Sequence, residues 1–311
     1  MQEKVKKKTF MIITIVGIIM LSAVTFVNAD NIQTEGEIIS HLKDYDVIDL
    51  IDEFDNEAKK TENPEDLIYH AIALSQKFKY IPINKLSKEI ADDNNSPELR
   101  VTLLQLATDE GITGKIEPVI KNLVTNKKTP VEVRQNAIWA LSNCRLIFDI
   151  ANGDTDSEFI SAIALKKLNI DDPVVANKIA DEILKKNTNL NINNDRDRMA
   201  FRIKAEYIGY HKEKITDKEV KEYINLCKKL YQEGNTEFAK ERIVFALSDI
   251  KDIRGIDFVL KLKDIDNCMK VYIVDENHET LKKAVNSKYR DTVVKAMQIY
   301  KVQEIVDMLE D

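Results

Sequence analysis

The sequence predicts an all-α fold, an α-solenoid of stacked antiparallel helix pairs. Three observations carry that prediction. Glycine and proline are scarce, eight and six in 311 residues, a composition that favours helices over sheets. No stretch alternates apolar and polar residues between hairpin turns, as half-buried strands would. And the pattern V-R-x-x-A-x-x-A-L at Val133–Leu141 recurs in degraded form along the chain, the mark of a helical unit repeated in series.

The first 29 residues stand apart. Lys4, Lys6, Lys7 and Lys8 form a positive region, Phe10 to Val27 is an almost uninterrupted apolar run, and Val27-Asn28-Ala29 offers a small-residue exit. This is the form of a secretory signal peptide cleaved between Ala29 and Asp30, which directs the chain to secretion or the cell envelope. An uncleaved N-terminal anchor is the alternative, because the eighteen positions 10–27 reach the lower limit for spanning a bilayer. Residues 30–311 then form a single helical-repeat domain, with a hinge or an inserted loop in the turn-rich stretch 187–197.

Within that domain Pro130–Cys144 is the clearest helix: Val133, Ala137, Ala140, Leu141 and Cys144 share one face. Ile138 and Trp139 fall off it, so the helix is contacted on more than one side. The same frame fits Leu99-Arg100, Phe201-Arg202 and Ala239-Lys240, so a basic residue recurs at 100, 134, 202 and 240, with intervals of 34, 68 and 38. Pro64, Pro97 and Pro130 lie 33 apart, each where proline suits a helix start. Two segments depart: Asp156–Leu168 has Glu158 in the basic slot and Pro64–Gln76 has Ile68. Second helices of the pairs are predicted at Lys115–Asn126, Pro173–Lys186, Thr216–Gln232 and Ile253–Lys263, with polar helical caps at Glu37–Lys60 and Asn277–Asp311.

In this spaced series, over roughly residues 60–265, the chain resembles the HEAT-repeat superfamily (armadillo-like α-solenoids), in particular its short, lyase-like bacterial variety. The match is strongest at Pro130–Cys144 and Phe238–Asp252. The resemblance implies a structural job for the recurring basic position. Arg100, Arg134, Arg202 and Lys240 would form a ladder joining adjacent repeats through neighbouring carbonyls or carboxylates. The other reading of the same residues is a basic line along a groove that attracts an acidic partner.

Charge narrows the partners. Of 46 Lys plus Arg four lie in the first 29 residues, and of 53 Asp plus Glu one does, leaving 42 against 52 and a formal charge near −10. Such a chain is not built to neutralise a phosphate backbone or an anionic bilayer, so no nucleic acid and no membrane beyond the N-terminal segment are expected. Cys144, Cys227 and Cys268 are odd in number and far apart, which reads as three buried small hydrophobes, with one bridge and a spare thiol as the alternative.

The sequence carries no motif for chemistry. His41, His70, His211 and His278 stand singly, without H-E-x-x-H or paired-cysteine spacing. Asn152–Glu158 alternates oxygen ligands but lacks the glycine and the bidentate glutamate of a calcium loop, and reads instead as a turn capping the next helix through Asp156 or Ser157. No G-x-S-x-G or glycine-rich phosphate loop occurs. No catalytic residue, metal or cofactor is therefore expected. The function expected is binding of a protein or peptide partner as a scaffold or adaptor. An envelope-associated α-helical hydrolase or lyase is the alternative, and it would need a cleft where carboxylates and a histidine converge. Tyrosines concentrate beyond residue 200, and Tyr207, Tyr210, Tyr223 and Tyr231 are the candidate partner surface.

Overall fold

A computed structural model describes Leu42 and residues 45–310, apart from 62–65, 153–156, 187–189 and 234–235. For Asp66, Lys186 and 302–310 it describes the backbone alone. The predicted signal segment, the Ala29–Asp30 cleavage site and Pro64 lie outside the described residues. Those described form an all-α, solenoid-like fold, with helices packed in neighbouring pairs and no strand among them. They gather into two compact units, one ending at Ile147 and the other starting at Phe148.

The first unit holds α1 (Val47–Lys60), α2 (Asp66–Lys77), α3 (Ile83–Ala91), α4 (Pro97–Asp109), α5 (Glu117–Thr125) and α6 (Val131–Ala140). Local chemistry sets their starts. The Asp46 carboxylate accepts from the N–H groups of Ile48 and Asp49 ahead of α1, and Ser96 caps α4 with Pro97 in its first turn. Pro130 sits one place earlier, as the residue that opens α6. Helices α1, α4 and α6 pack in succession, while α3 and α5 pack against each other and each against the helix that follows it. Buried Leu50, Phe54, Leu86, Ile90, Leu103 and Ile138 fill the space between.

Helix α6 stops at Ala140, where Leu141 turns extended, and Cys144 begins a separate helix, α7 (Cys144–Ala151). The division between the units falls within α7, well before the turn-rich stretch at 187–197.

The second unit continues with α8 (Glu158–Asp171), α9 (Pro173–Lys186), α10 (Asp195–Tyr210), α11 (Asp217–Gln232), α12 (Glu237–Asp249), α13 (Ile253–Lys261), α14 (Asn267–Glu276), α15 (His278–Ala284) and α16 (Arg290–Glu310). Helices α8, α10, α12 and α14 pack one on the next, and α9, α11 and α13 each pack against the following member of that row. The described part of 187–197 is anchored in this unit. Ile192 is fully buried in the core, and the Asn191 N–H donates to the buried Asp197 carboxylate at 3.1 Å.

The recurring basic residue acquires a common position: the fourth residue of its helix. Arg100 in α4 donates from Nε to the Ile90 carbonyl at 2.9 Å, and Arg134 in α6 donates to the Val124 carbonyl at 3.2 Å. Ser161, the fourth residue of α8, donates its hydroxyl to the Ala151 carbonyl at 3.0 Å. In all three the acceptor lies ten residues back, in the last turn of the preceding helix, where carbonyls have no partner of their own. Thus the slot assigned to Glu158 belongs to Ser161. Glu158 is the first residue of α8, behind a cap formed by Ser157.

In α10 the fourth residue is Arg198, whose guanidinium donates to the carbonyls of Ile192 and Asn193. Arg202 lies one turn further on, its side chain 61% exposed and paired with Glu206 of the same helix at 2.6 Å. The frame placed on Phe201-Arg202 is therefore displaced by one turn, because the Asn194 cap starts α10 earlier than the apolar pattern implies. Lys240, fourth in α12, pairs with Asp264 at 2.9 Å and lies over the Tyr231 ring at 5.1 Å.

One glycine sets a helix approach. A Cβ at Gly209 would run into the backbone carbonyl oxygen of Asp249, so α10 and α12 touch there backbone to backbone. Gly209→Ala gains about 1 kcal/mol of helix propensity but must push the helices apart, and a net loss of about 2 kcal/mol in urea unfolding is expected. Arg100→Met leaves the Ile90 carbonyl unpaired in the core and is expected to cost about 2 kcal/mol. Arg202→Met, on an exposed pair, stays within about 0.5 kcal/mol by the same measurement.

Candidate binding groove

Three of the four candidate tyrosines are core residues. Tyr207, Tyr223 and Tyr231 are buried to 7, 4 and 6% exposure, and only Tyr210, at 70%, faces solvent. Each buried phenol finds company. The Tyr223 hydroxyl donates to the Phe201 carbonyl at 2.7 Å with the two rings 5.2 Å apart, and Tyr231 donates to Asp264 at 2.8 Å. Tyr207 stacks on His211 at 4.5 Å. Burial holds the Tyr223 hydroxyl well above its usual pKa, and also raises that of Tyr231. Tyr223 and Tyr231 thus serve the core of the second unit, the ring buried and the hydroxyl satisfied by a carbonyl or carboxylate.

A different set of side chains lines a groove of about 380 Å³ across α10, α12 and α14. Helix α12 supplies Phe238, Arg242, Phe245 and Asp249, spaced four, three and four apart, which is one face of a helix. Ala239, Ile243, Ala246 and Leu247 of the same helix are buried toward the core. Helix α10 adds Arg198 and Arg202, also four apart, and α14 adds Tyr272.

These groups form a continuous file. The Arg198 guanidinium lies 5.4 Å from the centre of the Phe238 ring, and Arg242 lies 4.8 Å from the same ring and 5.9 Å from Phe245. Phe245 then meets Tyr272 edge to face at 5.6 Å. Guanidinium groups over aromatic faces are attracted by the ring quadrupole, worth about 0.5–1 kcal/mol each where solvent reaches them. Arg198 is ion-paired with Asp195 and Arg202 with Glu206, whereas Arg242 makes no ion pair or hydrogen bond among the described residues. Phe238 and Tyr272 remain 43 and 48% exposed.

The far end of the groove is acidic. Burial pushes the Asp249 carboxyl up to about 6, Glu206 and Glu276 add to the shift, and Arg202 and Lys251 oppose it. The Tyr272 hydroxyl is raised by burial and by the same acids, Glu276 and Asp249.

Another cavity of the second unit, about 600 Å³, lies among α14, α15 and α16. Its lining is mainly apolar, from Val274, Leu281, Val293 and Met297, with His278 and Asp275 also among the lining residues. Among the described residues no three His, Cys, Asp or Glu side chains converge as metal ligands. Cys227 is buried, its thiol pushed up by desolvation, while Cys144 and Cys268 are exposed, so only one of the three is a core residue.

The folded protein holds the Asp249 proton more tightly than the unfolded chain does. Its contribution to stability is therefore full below the ordinary carboxylate pKa near 3.8 and is lost as pH rises through about 6. Asp249→Asn is expected to be more stable than the parent by about 1–2 kcal/mol near neutral pH, after allowance for solvent screening. That advantage should vanish by about pH 4, as urea midpoints measured across the range would show. No family model matches the chain, and no curated protein is significantly similar to it.

Proposed function

We propose that the protein is an exported helical-repeat scaffold or adaptor of the HEAT-like kind, which binds a protein or peptide partner without catalysis. The groove on α10, α12 and α14 carries this reading. Arginine and aromatic side chains enrich the anchor points of protein interfaces, and here both are partly exposed yet held in place by contacts with one another. The file runs across three helices that pack one on the next, the arrangement by which stacked helical units offer an extended surface to a partner.

The repeat reading draws on the side chains that close the preceding helix end from the fourth helical position in α4, α6 and α8. Export is read from residues 1–29, and no helix among the described residues is long and apolar enough to cross a membrane. Mass determination of the N-terminus of the native protein separates cleavage from anchoring: a start at Asp30 removes the anchor.

Affinity capture from the exported fraction tests the binding reading. The double variant Phe238→Ala with Tyr272→Ala is expected to keep its unfolding midpoint within about 1 kcal/mol, since both side chains are half exposed. It should nevertheless lose the captured partner. An unchanged set of captured proteins would remove the groove from the interface.

A further inference from the structure

We propose that the groove takes an acidic peptide segment, with the Arg242 guanidinium as the anchor for one of its carboxylates. The inference rests on the peptide-binding reading above and specifies its partner.

Three guanidinium groups line the groove, and their states differ. Arg198 and Arg202 are already paired with Asp195 and Glu206 on their own helix. Arg242 is exposed, and the Phe238 and Phe245 rings occupy its flanks at 4.8 and 5.9 Å. Rings over a guanidinium leave its in-plane N–H donors directed outward while limiting how many ways the side chain can turn. A planar fork held this way is complementary to a carboxylate, which it can bind through two parallel hydrogen bonds.

The neighbours set what lies beside that carboxylate. Phe245 and Tyr272 form an apolar step next to Arg242, suited to an aliphatic or aromatic side chain. Beyond the step lies the Asp249 carboxylate, so a second ligand carboxylate is repelled at that end. The preferred segment therefore carries one acid with an apolar residue beside it, and no second acid on the far side of that apolar residue. A nucleic acid fits less well, because a run of phosphates needs several uncommitted cations and two of the three arginines are committed.

Fluorescence anisotropy with the full chain tests this, using a fluorescein-labelled decapeptide with a central Glu-Leu-Tyr and its Gln-Leu-Tyr counterpart. The Glu peptide is expected to bind about ten-fold or more tightly than the Gln peptide, and Arg242→Gln to abolish that preference. Arg242→Lys should restore part of it, and Lys221→Gln, an exposed cation on α11 outside the groove, should leave it nearly unchanged. Unfolding midpoints of the variants check that the fold is intact. Equal affinities for the two peptides, or a preference that survives Arg242→Gln, overturn the acidic anchor while leaving peptide binding in place. Failure of both peptides beside a successful partner capture also overturns it alone, whereas failure of capture too removes the parent reading. Tighter binding of labelled oligothymidylate than of the Glu peptide would assign the groove to nucleic acid and overturn the proposal.

Discussion

Every α-helix ends with carbonyl groups that its own residues cannot satisfy, and in a structure made of short helices there are many such ends. In this protein three of them are closed the same way. Arg100, Arg134 and Ser161 reach back ten residues, from the fourth position of one helix to the last turn of the one before. The bond does more than satisfy an acceptor. It ties the start of each helix to the end of its predecessor and so fixes the turn between them, on which the stacking of alternate helices depends. Where the pairing changes, the local construction changes too. Arg198 bonds the loop carbonyls of Ile192 and Asn193, and Lys240 turns forward to Asp264.

A helix packed between neighbours commits one face to the core, and its other face is what it offers outward. Helix α12 buries Ala239, Ile243, Ala246 and Leu247, yet sets two phenylalanines and an arginine on the groove. Those rings would associate indiscriminately if they lay bare. Covered in part by Arg198 and Arg242, they present an amphipathic surface in which charge sits over apolar faces. The close approach at Gly209 draws α10 against α12, and so brings Arg198 and Arg202 of the one beside Phe238 and Asp249 of the other.

Parts of this were readable beforehand, and particular residues show why. The buried spacing of Leu99, Leu103 and Ala107, or Val133, Ala137 and Ala140, is a purely local consequence of helical geometry, so it survives in the sequence. Helices α7, α3 and α14 are eight to ten residues long, shorter than the stretch over which a helical period is counted, so spacing alone did not single them out. The tyrosines misled because an aromatic with a polar tip serves a core as readily as a surface, and only the Phe201 carbonyl and the Asp264 carboxylate reveal which. The groove did leave a trace: Phe238 and Phe245 lie off the core frame of α12, four residues before and three after an arginine.

Local order, then, is what the sequence by itself determined: an all-helical chain, the caps and prolines that open its helices, the faces that turn inward, and a basic slot recurring near helix starts. These depend on residues within a turn or two of each other, where spacing alone decides who meets whom. Tertiary structure alone decided which carbonyl Arg100 and Arg134 reach, that Arg202 lies a turn beyond the slot while Arg198 fills it, and that Arg242 lies between two rings with no ion pair among the described residues. Those outcomes depend on the offsets of packed helices, and offsets are set by contacts such as Gly209 against Asp249, between residues forty positions apart.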